Sequence, residues 1–246
     1  MLMNRIPSIL CLLATVFIPT GLSQAAESGE AILERAINAA GNRFGSVKGP
    51  MLWMTKGTAY QDGLSQPFIA QYATRWPDRF RREIEGVFTT TSNGEQVWIT
   101  GRNGIRPLVR NELKNARQQI RLRWLNYLFP LQDNPQYQLK AIPGIQVEKR
   151  PTVGLLATHQ EGDEIKLYFD RETFLLTKME SMLQSTTEPQ ATVREEVFLS
   201  DHQSMGGVQV ASREKRFHDG SLIMEAVRVA TKTGATLDPE FFKTPQ

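Results

Sequence analysis

"SDHQSMGGVQVASREKRFHDGS", Ser200–Ser221, decides between an enzyme and a scaffold. It holds two of the chain's three histidines, each beside an aspartate, as Asp201-His202 and His218-Asp219. A zinc site carried on one element needs His-x-His on a strand or His-x-x-x-His on a helix, so that both imidazoles reach one ion. Neither spacing occurs, and His159 stands far upstream. The pairs instead run into glycine, at Met205-Gly206-Gly207 and at Asp219-Gly220, which is turn chemistry. The stretch reads as one strand with Asp201-His202 and His218-Asp219 at its two ends, and as no metal site. Leu222–Ala230 is the expected return strand.

The same pattern extends upstream. Ile165–Phe169 alternates, Asp170–Thr173 turns, and Phe174–Met182 returns. In Phe68–Trp76, positions 68, 70, 72 and 76 put apolar side chains on one face; Pro77-Asp78 turns, and Arg79–Phe88 continues as strand with Phe80, Ile84 and Phe88 in phase. Arg79, Arg81, Glu83 and Glu85 form a solvated charge ladder beside them. Ser92-Asn93-Gly94-Glu95 is a hairpin signal, because Asn-Gly accepts the positive φ angles of a two-residue turn, and Val97-Trp98-Ile99 is the strand that follows. Two segments have helical spacing instead. Glu30–Ala40 ends at the glycine stop Gly41, and Pro107–Phe129 repeats Val109, Leu113, Ala116, Ile120, Trp124, Tyr127 and Leu128 at steps of three and four. The second carries a basic stripe, Arg110, Lys114, Arg117 and Arg121. That stripe reads either as a solvated helix face or as an element that meets acidic headgroups or covers a hydrophobic cavity. The fold class is α+β, mainly β: a long antiparallel sheet, curved or partly closed, with two helices over its apolar face.

The N-terminus reads as an export signal. Arg5 precedes an apolar run, Ile6–Ile18, and Ser23-Gln24-Ala25 offers small residues to a signal peptidase. The run is shorter than the roughly 20 residues a bilayer demands. Residues 1–25 are therefore taken as signal peptide and residues 26–246 as a single domain. The one cysteine, Cys11, falls in the signal, so the exported domain relies on neither thiol chemistry nor disulfides. With 29 basic against 26 acidic residues the chain has no overall pull toward nucleic acid. Enzyme signatures are scarce. Gly63-Leu64-Ser65-Gln66-Pro67 lacks the second glycine of a nucleophile elbow, and there is no phosphate loop or dinucleotide fingerprint. No cofactor and no catalysis are expected.

The order of elements resembles the LolA-like lipoprotein carriers of the bacterial periplasm. The likeness rests on the N-terminal helix, "ATRWPDRFRREI" (Ala73–Ile84), "TTTSNGEQVWIT" (Thr89–Thr100), "EIKLYFDRETFLLTKMES" (Glu164–Ser181) and "GVQVASREKRFHDGSLIMEAVRVATKTGATLDPEFFKTP" (Gly207–Pro245). The resemblance implies an unclosed antiparallel barrel wrapped round helices, with an apolar cavity for the acyl chains of a lipid or lipoprotein. Candidate lining residues are Phe68, Tyr72, Trp76, Phe80, Ile84, Phe88 and Trp98. It also implies partner proteins at the inner or outer membrane, and a periplasmic location. The family carries an arginine directly before the strand-ending proline, where it helps hold a lid shut; here that place is Trp76, with Arg75 one residue earlier. Adjacent strand residues face opposite ways, so Arg75 does not substitute. An envelope sensor on the same scaffold and an envelope hydrolase are the competing expectations.

Overall fold

Among the described residues, alternating apolar residues punctuated by turn residues build fourteen strands, and every pairing among them is antiparallel. The computed structural model describes residues 27–41, 48–185 and 191–243; the expected signal peptide lies outside the described residues. The chain runs α1 (Gly29–Ala40), β1 (Met51–Gln61), β2 (Leu64–Arg75), β3 (Arg79–Ile84), β4 (Phe88–Asn93), β5 (Val97–Gly101), β6 (Gly104–Pro107) and α2 (Arg110–Leu125). It continues with β7 (Tyr137–Ile142), β8 (Gln146–Val147), β9 (Arg150–His159), β10 (Glu164–Asp170), β11 (Leu176–Gln184), β12 (Thr192–Met205), β13 (Val208–His218) and β14 (Ser221–Thr233). Short 3-10 turns occupy Phe129–Leu131 and Pro239–Phe242.

Strand order is β6-β5-β4-β3-β2-β1-β14-β13-β12-β11-β10-β9-β7, with β8 pairing β9 off that path. Two meanders, one from each half of the chain, are therefore joined by β1 against β14. The sheet curves but does not close: β6 and β7 are its two ends. The α+β reading, mainly β with helices on an unclosed antiparallel sheet, is what the structure shows.

Helix α1 starts where the Ser28 hydroxyl accepts from the Ala31 amide at 3.2 Å and stops at Gly41, whose φ of 104° suits glycine. Its face of Ile32, Leu33, Ala36 and Ile37 is buried among the core residues of the second meander. The core also takes residues from both meanders, including Tyr72, Phe80, Leu155, Leu167, Val197 and Val210.

Three expectations need correction. Arg79–Phe88 is not one strand: β3 ends at Ile84, Gly86 turns with φ 70°, and Phe88 pairs back onto Ile84. The helix expected over Pro107–Phe129 is confined to Arg110–Leu125, and Val109 is 56% exposed. Asp201-His202 does not end a strand. It lies inside β12, where Asp201 (φ 54°) leaves the ladder to β13 without shifting its register, and the turn comes later at Gly206-Gly207. The other pair, His218-Asp219, does stand at the β13–β14 turn.

Helix α2 crosses the concave side as a strap. Gln118 Nε2 donates to the Met182 carbonyl at 3.0 Å and Asn115 Nδ2 to the Gln184 carbonyl at 3.3 Å, both on β11. Arg117 donates to the Glu95 carbonyl, in the β4–β5 turn, at 2.6 Å. The last turns enter the sheet's interior, which is why Leu122, Trp124 and Leu125 are all buried although they share no single stripe. Among the described residues no helix is long and apolar enough to cross a membrane.

A Cβ on Gly41 would stand 2.3 Å from the Gly207 carbonyl oxygen, in a conformation side chains rarely adopt. Gly41→Ala is expected to destabilise by about 1–3 kcal/mol, read as a lower urea midpoint; an unchanged midpoint would show that α1 does not need this approach.

Candidate functional site

Register assigns each side chain to a face. Opposite partners share a face, so Gly57–Phe68, Thr55–Ala70–Ile84–Phe88, Trp53–Tyr72–Arg82–Thr90–Ile99 and Thr74–Phe80–Ser92–Val97 form rows on the concave side. Phe68, Tyr72, Phe80, Ile84 and Phe88 all stand there. Trp98 does not. It belongs to the row Ala73–Arg81–Thr91–Trp98 on the convex side. There it is buried, on the face whose Arg81 guanidinium lies 5.1 Å from the Phe241 ring of the C-terminal 3-10 turn. Trp76 lies past the end of β2 and packs edge-on to Trp124 at 5.3 Å and Phe129 at 5.0 Å. An aromatic clamp thus holds the end of α2 at the place where the resembled family carries its arginine.

The basic stripe divides likewise. Arg110 and Lys114 are exposed, and Arg117 holds the β4–β5 turn. Arg121 pairs with Glu161 at 2.9 Å and with Asp163. Arg121 is therefore an anchor to the β9–β10 turn, not a headgroup contact. It also bears on the one cluster of potential metal ligands among the described residues, His159, Glu161 and Asp163. A guanidinium already bridges both carboxylates, so the cluster is satisfied without an ion. Burial, followed by the charge of Arg121, holds His159 below its ordinary value, which leaves it uncharged at neutral pH.

The concave side has a charged centre that the sequence reading missed. Arg216 is buried between two glutamates, its Nη1 3.0 Å from Glu195 and its Nε 3.3 Å from Glu214. His218 Nε2 lies 3.2 Å from the second Glu195 oxygen. Burial alone would raise Glu195, but Arg216 and His218 outweigh it and hold the carboxyl down at about 2. Glu214 is lowered in the same way, burial being outweighed by Arg216 and Arg123. Beside this group stand Trp53 and Tyr72, stacked at 4.8 Å. Arg228 lies over Trp53 at 5.2 Å and Arg123 over Tyr72 at 5.2 Å. The signal for this centre was present: Arg82 is in phase with Phe80 and Ile84, and Glu214 and Arg216 with Val208 and Val210.

Access comes through a split in the sheet. The β13–β14 ladder runs from the His218 turn to Arg213 opposite Val227 and stops, although both strands continue. Beyond that point β13 pairs only with β12, and β14 only with β1. Between them opens a groove of about 310 Å³ with mixed walls, Met205, Val210 and Val229 alternating with Gln203, Ser204 and Thr231 among others. It shares Ala211, Ser212 and Arg228 with a small cavity of about 30 Å³ beside Trp53, Tyr72 and Arg123.

The fold matches solved structures of LolA-like proteins. A LolA superfamily protein from Nitrosomonas europaea superposes with a TM-score of 0.57 at 11% identity, over 88% of this chain and 97% of its own. A DUF1329 family protein from Desulfovibrio piger gives 0.60 at 10% identity, over 87% and 97%. A domain described as an outer-membrane lipoprotein-sorting protein, from Vibrio parahaemolyticus, gives 0.56 at 11% identity, over 87% and 97%. No family model and no curated sequence matches the chain. At these identities the likeness concerns the fold, which is LolA-like.

Removing one partner of a buried ion pair leaves the other uncompensated, so Glu195→Gln is expected to lower stability at pH 7 by about 3–5 kcal/mol. The native carboxyl lies below its ordinary value of 4.5, so its contribution is present above that pH and drains away as the pH falls toward about 2. Urea unfolding at pH 7 and at pH 3 measures both; equal midpoints for the two proteins at pH 7 would refute the pairing.

Proposed function

We propose that this LolA-like fold is a periplasmic carrier that holds the acyl chains of a lipid or lipoprotein against its concave face and performs no chemistry. The observation that carries the reading is the split between β13 and β14, which opens a groove onto an aromatic interior roofed by α2. An acyl chain gains about 0.8 kcal/mol per buried CH₂, so apolar walls suffice for affinity. Phe68, Tyr72, Phe80, Ile84 and Phe88 are the proposed wall, and Trp76 the clamp on the strap. Loading needs α2 to lift, and side-chain bonds from Asn115, Gln118 and Arg117 are what tie it to the two meanders. Non-catalysis is supported by the concave carboxylates: Glu195 and Glu214 are consumed by Arg216 and His218 and are not poised as an acid–base pair.

Partner proteins at the inner or outer membrane would deliver and receive the cargo. A sensor role on the same scaffold is the second reading, favoured by the parted β13 and β14, whose free edges suit an added strand.

Two experiments follow from the carrier reading. Mass spectrometry of the organic extract of the protein purified from the envelope is expected to show acyl lipid in near-stoichiometric amount. A clean extract together with failure to displace a fluorescent fatty-acid probe would refute the carrier. For the strap, changing the exposed Arg110 and Lys114 to Gln is expected to weaken binding to vesicles containing anionic lipid, with each charge worth about 1 kcal/mol. Unchanged binding would make that end of α2 an ordinary solvated face.

A further inference from the structure

Four arginines converge on the charged centre, and two glutamates do not balance them. Arg216 takes both Glu195 and Glu214. Arg82, Arg123 and Arg228 are left with no carboxylate in ion-pair range among the described residues. They are close enough to feel one another: burial, and after it the charge of Arg123, pushes Arg82 down to about 10, and Arg228 and Arg123 both act on Glu214. Arg82 Nε is buried with no acceptor, and so is the Thr55 hydroxyl, which lines the small cavity. Among the described residues Arg228 has only the Tyr127 hydroxyl and the Met205 sulfur, each at 3.3 Å, as hydrogen-bond partners.

All three side chains are half-buried, and a cation drawn out of water without a counter-charge is costly unless something supplies one. The Trp53–Tyr72 stack holds Arg228 and Arg123 against its faces, which uses their π surfaces and leaves their N–H groups available. Guanidinium forks match the paired oxygens of a phosphate or carboxylate. Arg228 lines both groove and cavity and Arg123 lines the cavity, so these two stand at the inner end of the β13–β14 groove.

We propose that Arg123 and Arg228, with Arg82 behind them, form an oxyanion subsite that binds the phosphate or carboxylate of an amphiphilic ligand whose chain follows the groove between β13 and β14. The inference rests on the carrier reading and adds to it a headgroup charge. Arg216 is shared between Glu195 and Glu214 and does not cancel both, but the three further guanidinium charges outnumber the one carboxylate charge left over. The cavity of about 30 Å³ has room for little more than a water, so binding displaces Arg123 together with the end of α2.

The test titrates the full chain by calorimetry with hexadecyl phosphate, hexadecanol and inorganic phosphate. Hexadecyl phosphate is expected to bind about tenfold or more tightly than hexadecanol, as charge-assisted bonds allow. Arg123→Gln and Arg228→Gln should abolish that difference, while Arg110→Gln, on the exposed end of α2, should keep it. If the pocket variants do not fold, the comparison of the two ligands on the native chain still decides. Equal binding of alcohol and phosphate would overturn the subsite and leave the carrier standing. Failure of both amphiphiles would overturn both. Inorganic phosphate binding as well as hexadecyl phosphate would support an oxyanion site but overturn the amphiphile as its ligand.

Discussion

A sheet that curves without closing cannot fill its own concave side, and the insertion of α2 meets that constraint. Trp124 and Leu125 enter the interior while Asn115 and Gln118 cap carbonyls on β11 and Arg117 caps one at the β4–β5 turn. The helix therefore binds the two meanders through main-chain acceptors that another donor, or water, can equally satisfy. Its inner end is held more firmly, by rings: Trp124 and Phe129 pack edge-on to Trp76 and to each other, and Tyr127 packs tilted against Trp124. The strap is thus tighter at its inner end than along its exposed turns.

Charge placement follows the same geometry. Antiparallel sheets ordinarily keep charges on the wet face and apolar residues on the dry one. Here the convex side has a partial apolar cover of its own, with Trp98, Thr91 and Ala73 buried near the C-terminal turn. The concave side in turn carries Arg216 between Glu195 and Glu214. Both faces are mixed, which separates this sheet from a simple sandwich leaf.

The strands were legible because period two and turn residues agree. Asp219-Gly220 takes both positive angles of the turn (φ 47° and 83°), whereas at Asn93-Gly94 only the glycine does (φ 98°) and the loop spans the residues between Ser92 and Val97. Ile84 and Phe88 misled for a physical reason: a four-residue step keeps the same parity whether the chain continues or turns back, and it turns back at Gly86. Trp98 misled because parity across a hairpin depends on the turn, and its row crosses to the convex face. The basic stripe of α2 was legible as a stripe, but the partners of Arg117 and Arg121 lie 22 and 42 residues away in sequence. The charged centre was hidden in plain alternation, since arginine in phase with Phe80 looks like any strand residue until the opposite meander is placed.

The pairing of β1 with β14 has a consequence for the order of assembly. Met51–Ala59 must find Met224–Thr233, so the first strand of the sheet waits for the last. Such non-local pairing makes folding slow relative to helical proteins of the same size. Until β14 emerges, the first meander has a bare edge at β1. A chain built this way keeps its sheet unfinished until its last strand is made.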